Sequence, residues 1–295
     1  MANDLGYNKN LFILPFDHRS SFEEIFNNKD DIVSAKWIIY EAFKQGVTNG
    51  IPKNEGAILV DEQFGDKILQ DARRQGFTSI FTTEKSGQKE FTFEYNGEFS
   101  KHIEKYKPTF AKALIRYNPE DKDQSKSRQQ QQLKILSDYC HNNGYKFLLE
   151  VLIEPTNEQL IKFGGDKNLY DKELRPKLAI EVIKELQNVG VEPDVWKLEG
   201  MTDVKDYEAV VSQAKIEGRI NVGVVVLGRA ENQKLVEKWI SVGAKVKGVI
   251  GFAVGRTVFW KPLVDLKNGK ILKEEAINQI ANNFKYFYDV FMKDK

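Results

Sequence analysis

The feature that most constrains this chain is an alternation. Eight short apolar runs, at residues 11–16, 57–60, 79–82, 109–115, 146–153, 194–198, 222–227 and 248–252, are separated by longer amphipathic segments. Strand-like runs alternating with helix-period segments are the pattern of βαβ units, and so of a parallel sheet. Helical spacing covers residues 32–45, 125–143, 175–189 and 231–242, with Gly46, Gly144, Gly190 and Gly243 placed as C-terminal caps. A last helical pattern at 273–292, with Ile277, Ile280, Phe284 and Phe287 on one face, completes the series. Eight repeats are what a closed barrel needs, whereas doubly wound sheets usually stop at fewer strands. No dinucleotide-type glycine fingerprint follows any of the runs. The expected fold is therefore α/β, a (β/α)8 TIM barrel filling residues 1–295 as a single domain. Residues 84–106, with FTFEYNGEF, read as an extra hairpin or lid instead of a regular helix, and the glutamine-rich residues 124–133 as an exposed helix start.

Composition removes several function classes. Hydrophobic residues at 41% are enough for a sizeable core. Lys+Arg of 44 against Asp+Glu of 43, with no basic block, argues against a nucleic-acid partner. The first ten residues are polar and unlike a signal peptide, and no run approaches the roughly 18 apolar residues of a membrane span. Cys140 is the single cysteine, so no internal disulfide forms and a reducing cytoplasm is expected; its amphipathic setting reads as an inert thiol. His18, His102 and His141 are scattered, which argues against a multi-histidine metal site. Neither metal nor other cofactor is expected, although carboxylates alone can hold Mg²⁺. A homo-oligomer is compatible with the sequence.

Buried parallel strands should be nearly continuous in apolar residues, so charges within them are the informative exceptions. Four stand out: Asp17 ending ILPFDHR, Lys112 in PTFAKALIRYNP, Glu150 in KFLLEVLIEP and Lys197 in DVWKLEG. Charges near strand C-termini converge on one barrel mouth, where barrel active sites lie. Alternation puts Val195 on the same face as Lys197, and Phe110, Lys112, Leu114 and Arg116 on one face of their strand. A lysine in such an interior is costly to charge, and a second cation nearby lowers its pKa further. A neutral amine can form a Schiff base with a ketone, and a carboxylate can carry the protons. Two lysines and one or two carboxylates thus suffice for metal-free carbon–carbon cleavage, while a structural Lys–Glu pair across the mouth fits the same residues.

The last two strands add a second signal. VIGFAVGRTVFW places Gly251, Gly255 and Arg256 after the eighth run, and VVVLGRAEN places Gly228 and Arg229 after the seventh. Loops at these positions commonly hold phosphate through backbone N–H groups, and arginine adds charge-assisted hydrogen bonds. Plain turn glycines and solvated rim arginines are the alternative. His18 and Arg19 follow Asp17 at the mouth, where a ligand contact and a structural role fit equally.

FDHRSSF, the lysine strand ending RYNPE, LLEVLIEP, VWKLEG and GFAVGR together resemble the class I aldolase domain of myo-inositol catabolism, the 5-dehydro-2-deoxyphosphogluconate aldolase type. The matching segments run from residue 11 to about residue 291. More distantly the chain is similar to tagatose-bisphosphate and sulfofructose-phosphate aldolases. The resemblance implies Lys197 as the covalent lysine and Glu150 as the proton shuttle. It implies that Asp17 and Lys112 hold and polarise substrate hydroxyls, with Lys112 depressing the pKa of Lys197. Arg256, with backbone around Gly228 and Gly255, would take the phosphate. The family domain is often fused behind a sugar kinase; here the barrel is expected to stand alone, which leaves the substrate open. The implied reaction cleaves a phosphorylated keto-sugar acid to dihydroxyacetone phosphate and an aldehyde. A ketose-bisphosphate aldolase using Arg19 or Arg116 for a second phosphate is the alternative enzyme, and a non-catalytic sugar-phosphate-binding barrel the alternative class. The discriminating feature is whether Lys197 and Glu150 face each other in the mouth.

Overall fold

The structure is a computed structural model and describes residues 5–121, 124–229 and 232–295. Residues 1–4 of the polar start, and Ala230 and Glu231 of the loop after the seventh run, lie outside the described residues. All eight expected runs are strands: β1 Leu11–Pro15, β2 Gly56–Val60, β3 Thr78–Thr82, β4 Phe110–Arg116, β5 Lys146–Leu152, β6 Val195–Glu199, β7 Gly223–Leu227 and β8 Val249–Ala253. They pair in parallel in sequence order, and β8 returns to β1 through Leu11 opposite Gly251 and Ile13 opposite Ala253, closing the (β/α)8 barrel.

Alternation along each strand divides the core in two. Leu11, Ile13, Ala57, Leu59, Ile80, Phe110, Leu148, Val195, Val225 and Ala253 pack together inside the barrel. Their neighbours Phe12, Leu14, Trp196 and Leu198 belong to the larger shell between strands and helices. The expected parity of the lysine strands is therefore realised, since Phe110 and Val195 point inward and Lys112 and Lys197 lie two residues further along the same faces.

The helices follow the predicted segments, at Lys29–Thr48, Ser125–Asn142, Arg175–Asn188, Gln233–Ala244 and Lys273–Asp294. Gly144 and Gly190 follow helix ends with left-handed φ of 75° and 76°, as expected of capping glycines. Gly46 and Gly243 do not cap. Gly46 lies inside its helix, where an added Cβ would stand 3.3 Å from Phe284. At Gly243 that Cβ would stand 3.0 Å from Val226, so these two glycines let elements approach closely. The aromatic tail is core: Phe284, Phe287 and Phe291 are buried, and Phe291 meets Phe12 at 5.3 Å.

Residues 84–106 are half as expected. Glu84 bridges Phe93 in antiparallel fashion, and Lys85 N–H donates to Thr92 O at 3.0 Å, forming a hairpin beside the mouth. A regular helix, Phe99–Tyr106, then follows where none was expected, because Phe99, Ile103 and Tyr106 form a short buried face. Among the described residues, no helix is long and apolar enough to cross a membrane.

Candidate active site

Barrel closure turns the strand-end charges onto one another. Glu150 on β5 and Lys197 on β6 are register partners, and Lys197 Nζ lies 2.7 Å from Glu150 Oε2. Lys112 on β4 reaches the same Oε2 at 3.0 Å and Asp17 Oδ2, two residues past β1, at 2.9 Å. A third carboxylate, Glu84, meets Lys112 Nζ at 2.5 Å. Lys112, Lys197, Glu150 and Glu84 are all buried, yet they line one open cavity of about 250 Å³ at the C-terminal end of the barrel.

The electrostatics assign different states to these groups. Desolvation acts to lower the Lys112 pKa, but Asp17, Glu150 and Glu84 outweigh it and hold the ammonium well above its ordinary value. Lys112 is thus a fixed cation. Burial opposes ionisation of Asp17 and Glu150 too, and the lysines prevail, driving both carboxyls below their usual range. Glu84 goes the other way. Burial pushes it up, and Asp17 adds to that against the pull of Lys112. His18 is lowered to about 4, mainly by burial and by the nearby cations Arg256 and Lys197, against the pull of Asp17. It is neutral at pH 7, and its Nδ1 is buried without a hydrogen-bond partner among the described residues.

The rim cations separate just as clearly. Arg19 is buried, donating to Glu94 Oε2 at 2.9 Å and to the Glu84 carbonyl at 2.7 Å. Arg116 is held by Glu154 Oε1 at 3.1 Å and the Gln88 carbonyl at 2.9 Å. Arg229 pairs with Asp171 and, at 2.9 Å, with Glu199. These three arginines, expected as rim ligands, line the cavity with their guanidinium groups engaged by carboxylates or backbone carbonyls. Among the described residues the Arg256 guanidinium has no hydrogen bond or ion pair, and it lines the cavity at the start of the helix Arg256–Lys267. Gly255 lies beside it; an added Cβ there would stand 2.3 Å from the Pro15 carbonyl oxygen, so only glycine lets this turn close on β1. The Gly228 N–H is already engaged. It donates to Ala253 O at 3.2 Å, extending the β7–β8 ladder.

Sequence reasoning missed Glu84, although TSIFTTE carries the same signal as ILPFD, a charge just past a strand end. It also missed Lys36, fully buried, which pairs with Asp61 and donates to the His18 carbonyl at 3.0 Å, steadying the loop that carries Asp17 and His18. Among the described residues no group of three or more His, Cys, Asp or Glu is arranged to hold a metal ion. Burial pushes the Cys140 thiol up, which keeps it un-ionised.

A sequence profile of the family described as "Uncharacterized protein conserved in bacteria (DUF2090)" matches residues 3–295, nearly the whole chain. The chain belongs to the DUF2090 family. A sequence search among curated proteins finds no match. In three dimensions this DUF2090 chain is similar to fructose-bisphosphate aldolase from Plasmodium falciparum, solved with TRAP and a small-molecule inhibitor. That match has a TM-score of 0.66 at 12% identity, covering 97% of this chain and 91% of the other. Fructose-bisphosphate aldolase from Slackia heliotrinireducens is similar at a TM-score of 0.59 and 11% identity, covering 97% and 86%. The YdjI aldolase from Escherichia coli K12 follows at 0.56 and 10%, covering 97% and 93%. At such identities the likeness establishes that the DUF2090 barrel has the fold of these aldolases, and nothing about its substrate.

Proposed function

We propose that this protein is a class I aldolase that cleaves a phosphorylated keto-sugar acid to dihydroxyacetone phosphate and an aldehyde, with Lys197 as the Schiff-base lysine. The observation that carries this reading is the 2.7 Å contact between Lys197 Nζ and Glu150 Oε2, with Lys112 on the same oxygen, at the floor of an open mouth. A protein that only binds a sugar phosphate has no need of that arrangement. The aldolase barrels that share the fold add support.

The chemistry uses the contact between the Lys197 amine and the Glu150 carboxylate. Lys197 passes a proton to Glu150, and the free amine attacks the substrate ketone to give a carbinolamine. Glu150 returns the proton to the carbinolamine hydroxyl, which leaves as water, and an iminium remains. Glu150, ionised again, takes the proton of the β-hydroxyl, which breaks the carbon–carbon bond and releases the aldehyde while the electron pair enters the iminium as an enamine; Glu150 then holds the proton that the enamine carbon takes up. Protonation of the enamine and hydrolysis release the ketone product and regenerate Lys197. Lys112, a fixed cation between Asp17 and Glu150, polarises substrate oxygens without changing charge. Arg256 meets the phosphate. Engagement of Arg19 and Arg116 by glutamates and backbone carbonyls favours a single phosphate over a bisphosphate.

Borohydride reduction in the presence of dihydroxyacetone phosphate, read by peptide mass spectrometry, tests the assignment. The expected product is one stable adduct on Lys197, absent from Lys197→Ala. An adduct on Lys112 reverses the two lysines; cleavage without any trapped adduct sinks the Schiff-base mechanism.

A further inference from the structure

Three carboxylates, Asp17, Glu84 and Glu150, share two ammoniums, Lys112 and Lys197, at the mouth; Arg256 lines the same cavity but makes no ion pair with them among the described residues. Glu84 faces Lys112 from β4, Asp17 and Arg19 from the segment after β1, and, across Lys112, Glu150 from β5; Glu94 of the hairpin pairs with Arg19, and Lys197 of β6 with Glu150. Counted by direct contact, the three carboxylates on Lys112 and Lys197 are one negative charge in excess when every group is ionised, Arg19 being matched by Glu94. In a low-dielectric interior such an excess is relieved by one carboxyl keeping its proton. The geometry shows which. Glu150 Oε2 accepts two ammonium contacts and Asp17 Oδ2 one, whereas Glu84 Oε2 is buried with no hydrogen-bond partner among the described residues. A bare carboxylate oxygen out of water is far costlier than an unpaired hydroxyl.

We infer that Glu84 carries a proton in the working protein, and that its neutrality, with Oε1 still accepting from Lys112, keeps the Lys112 charge for Asp17, Glu150 and the substrate. Glu84 is a positioning residue acting through Lys112, in a role that rests on the aldolase reading; its protonation does not. Ionisation of Glu84 as pH rises puts a third full negative charge on Lys112 and binds the ammonium away from the substrate. The alkaline limb of activity is therefore set at least in part by Glu84. The burial-driven rise in its pKa points the same way.

Infrared difference spectroscopy on the ligand-free protein at pH 7, wild type against Glu84→Gln, reads the proton without any activity. Expected is the carbonyl stretch of an un-ionised carboxylic acid that shifts with ¹³C-glutamate labelling, disappears in Glu84→Gln and fades as pH is raised. Should Glu84→Gln fail to fold, the labelled wild-type band and its pH titration carry the same information. Absence of any glutamic-acid band at pH 7 overturns the inference. In turnover, Glu84→Gln is expected to extend the activity plateau to higher pH, while Glu84→Ala lowers kcat tenfold or more at every pH. An alkaline limb unmoved in Glu84→Gln overturns the positioning role. A band present in a protein with no aldol cleavage or trapping leaves the proton on Glu84 and removes the aldolase reading instead.

Discussion

Glu150 and Lys197 stand directly opposite each other on β5 and β6, both pointing into the barrel, with Nζ 2.7 Å from Oε2. Two adjacent parallel strands held in fixed register give this pair little freedom, so proton exchange between them needs no rearrangement. Lys112 approaches the same oxygen at 3.0 Å, which keeps Glu150 ionised and ready to accept a proton.

Replacing Glu150 by Gln leaves the shape and removes the proton carrier. kcat is expected to fall on the order of 100-fold or more, the range for a general acid–base group, with KM changing far less. Steady-state kinetics check this, together with the rate of borohydride inactivation, which should slow in parallel. A loss below about threefold would falsify the shuttle role.

Arg256→Ala removes the mouth arginine that, among the described residues, no carboxylate engages. We expect KM to rise more than kcat falls, at a cost of roughly 1.5–3 kcal/mol, or about 10- to 150-fold in kcat/KM. An unphosphorylated analogue is the control, because it offers the guanidinium nothing to meet. Equal damage to both substrates would place Arg256 in loop support and move the phosphate site elsewhere.

Cleavage should survive exhaustive treatment with EDTA. The three carboxylates that could gather a hard cation, Asp17, Glu84 and Glu150, are already turned onto the Lys112 ammonium. Activity lost on chelation and restored by zinc or manganese would defeat the class I assignment.

His18 gives the pH prediction. Its folded pKa of about 4 lies below the ordinary value near 6.5, so the fold favours the neutral ring. The stability this contributes is complete above about pH 6.5. It is lost as the pH falls through the folded value of about 4. NMR titration should place the His18 midpoint near 4, and His18→Gln should flatten the fall of Tm between these two pH values. A midpoint near 6.5, or a Tm profile identical in the variant, would show that the ring is not held neutral.

Periodicity is a local property, and what it governs was legible. Each of the eight strands and the faces of Phe110, Lys112, Val195 and Lys197 follow from alternation within a few residues. Lys112, Lys197, Glu150 and Asp17 were visible because charge inside an apolar strand contradicts its surroundings. Closure of the barrel decided the rest. Lys112 meets Asp17 across 95 residues of chain and Glu84 across 28, and nothing in either segment names the other. Arg116 and Arg256 are the same residue type at the end of a strand and just past one, yet one is held by Glu154 and the other faces the cavity with no ion pair among the described residues. Gly46 and Gly243 look like caps in sequence and are close contacts in space, because the helix they sit in continues past them. Which charges pair, which stay free and which carboxyl keeps a proton depend on distances and burial that exist only after the strands have closed into a ring.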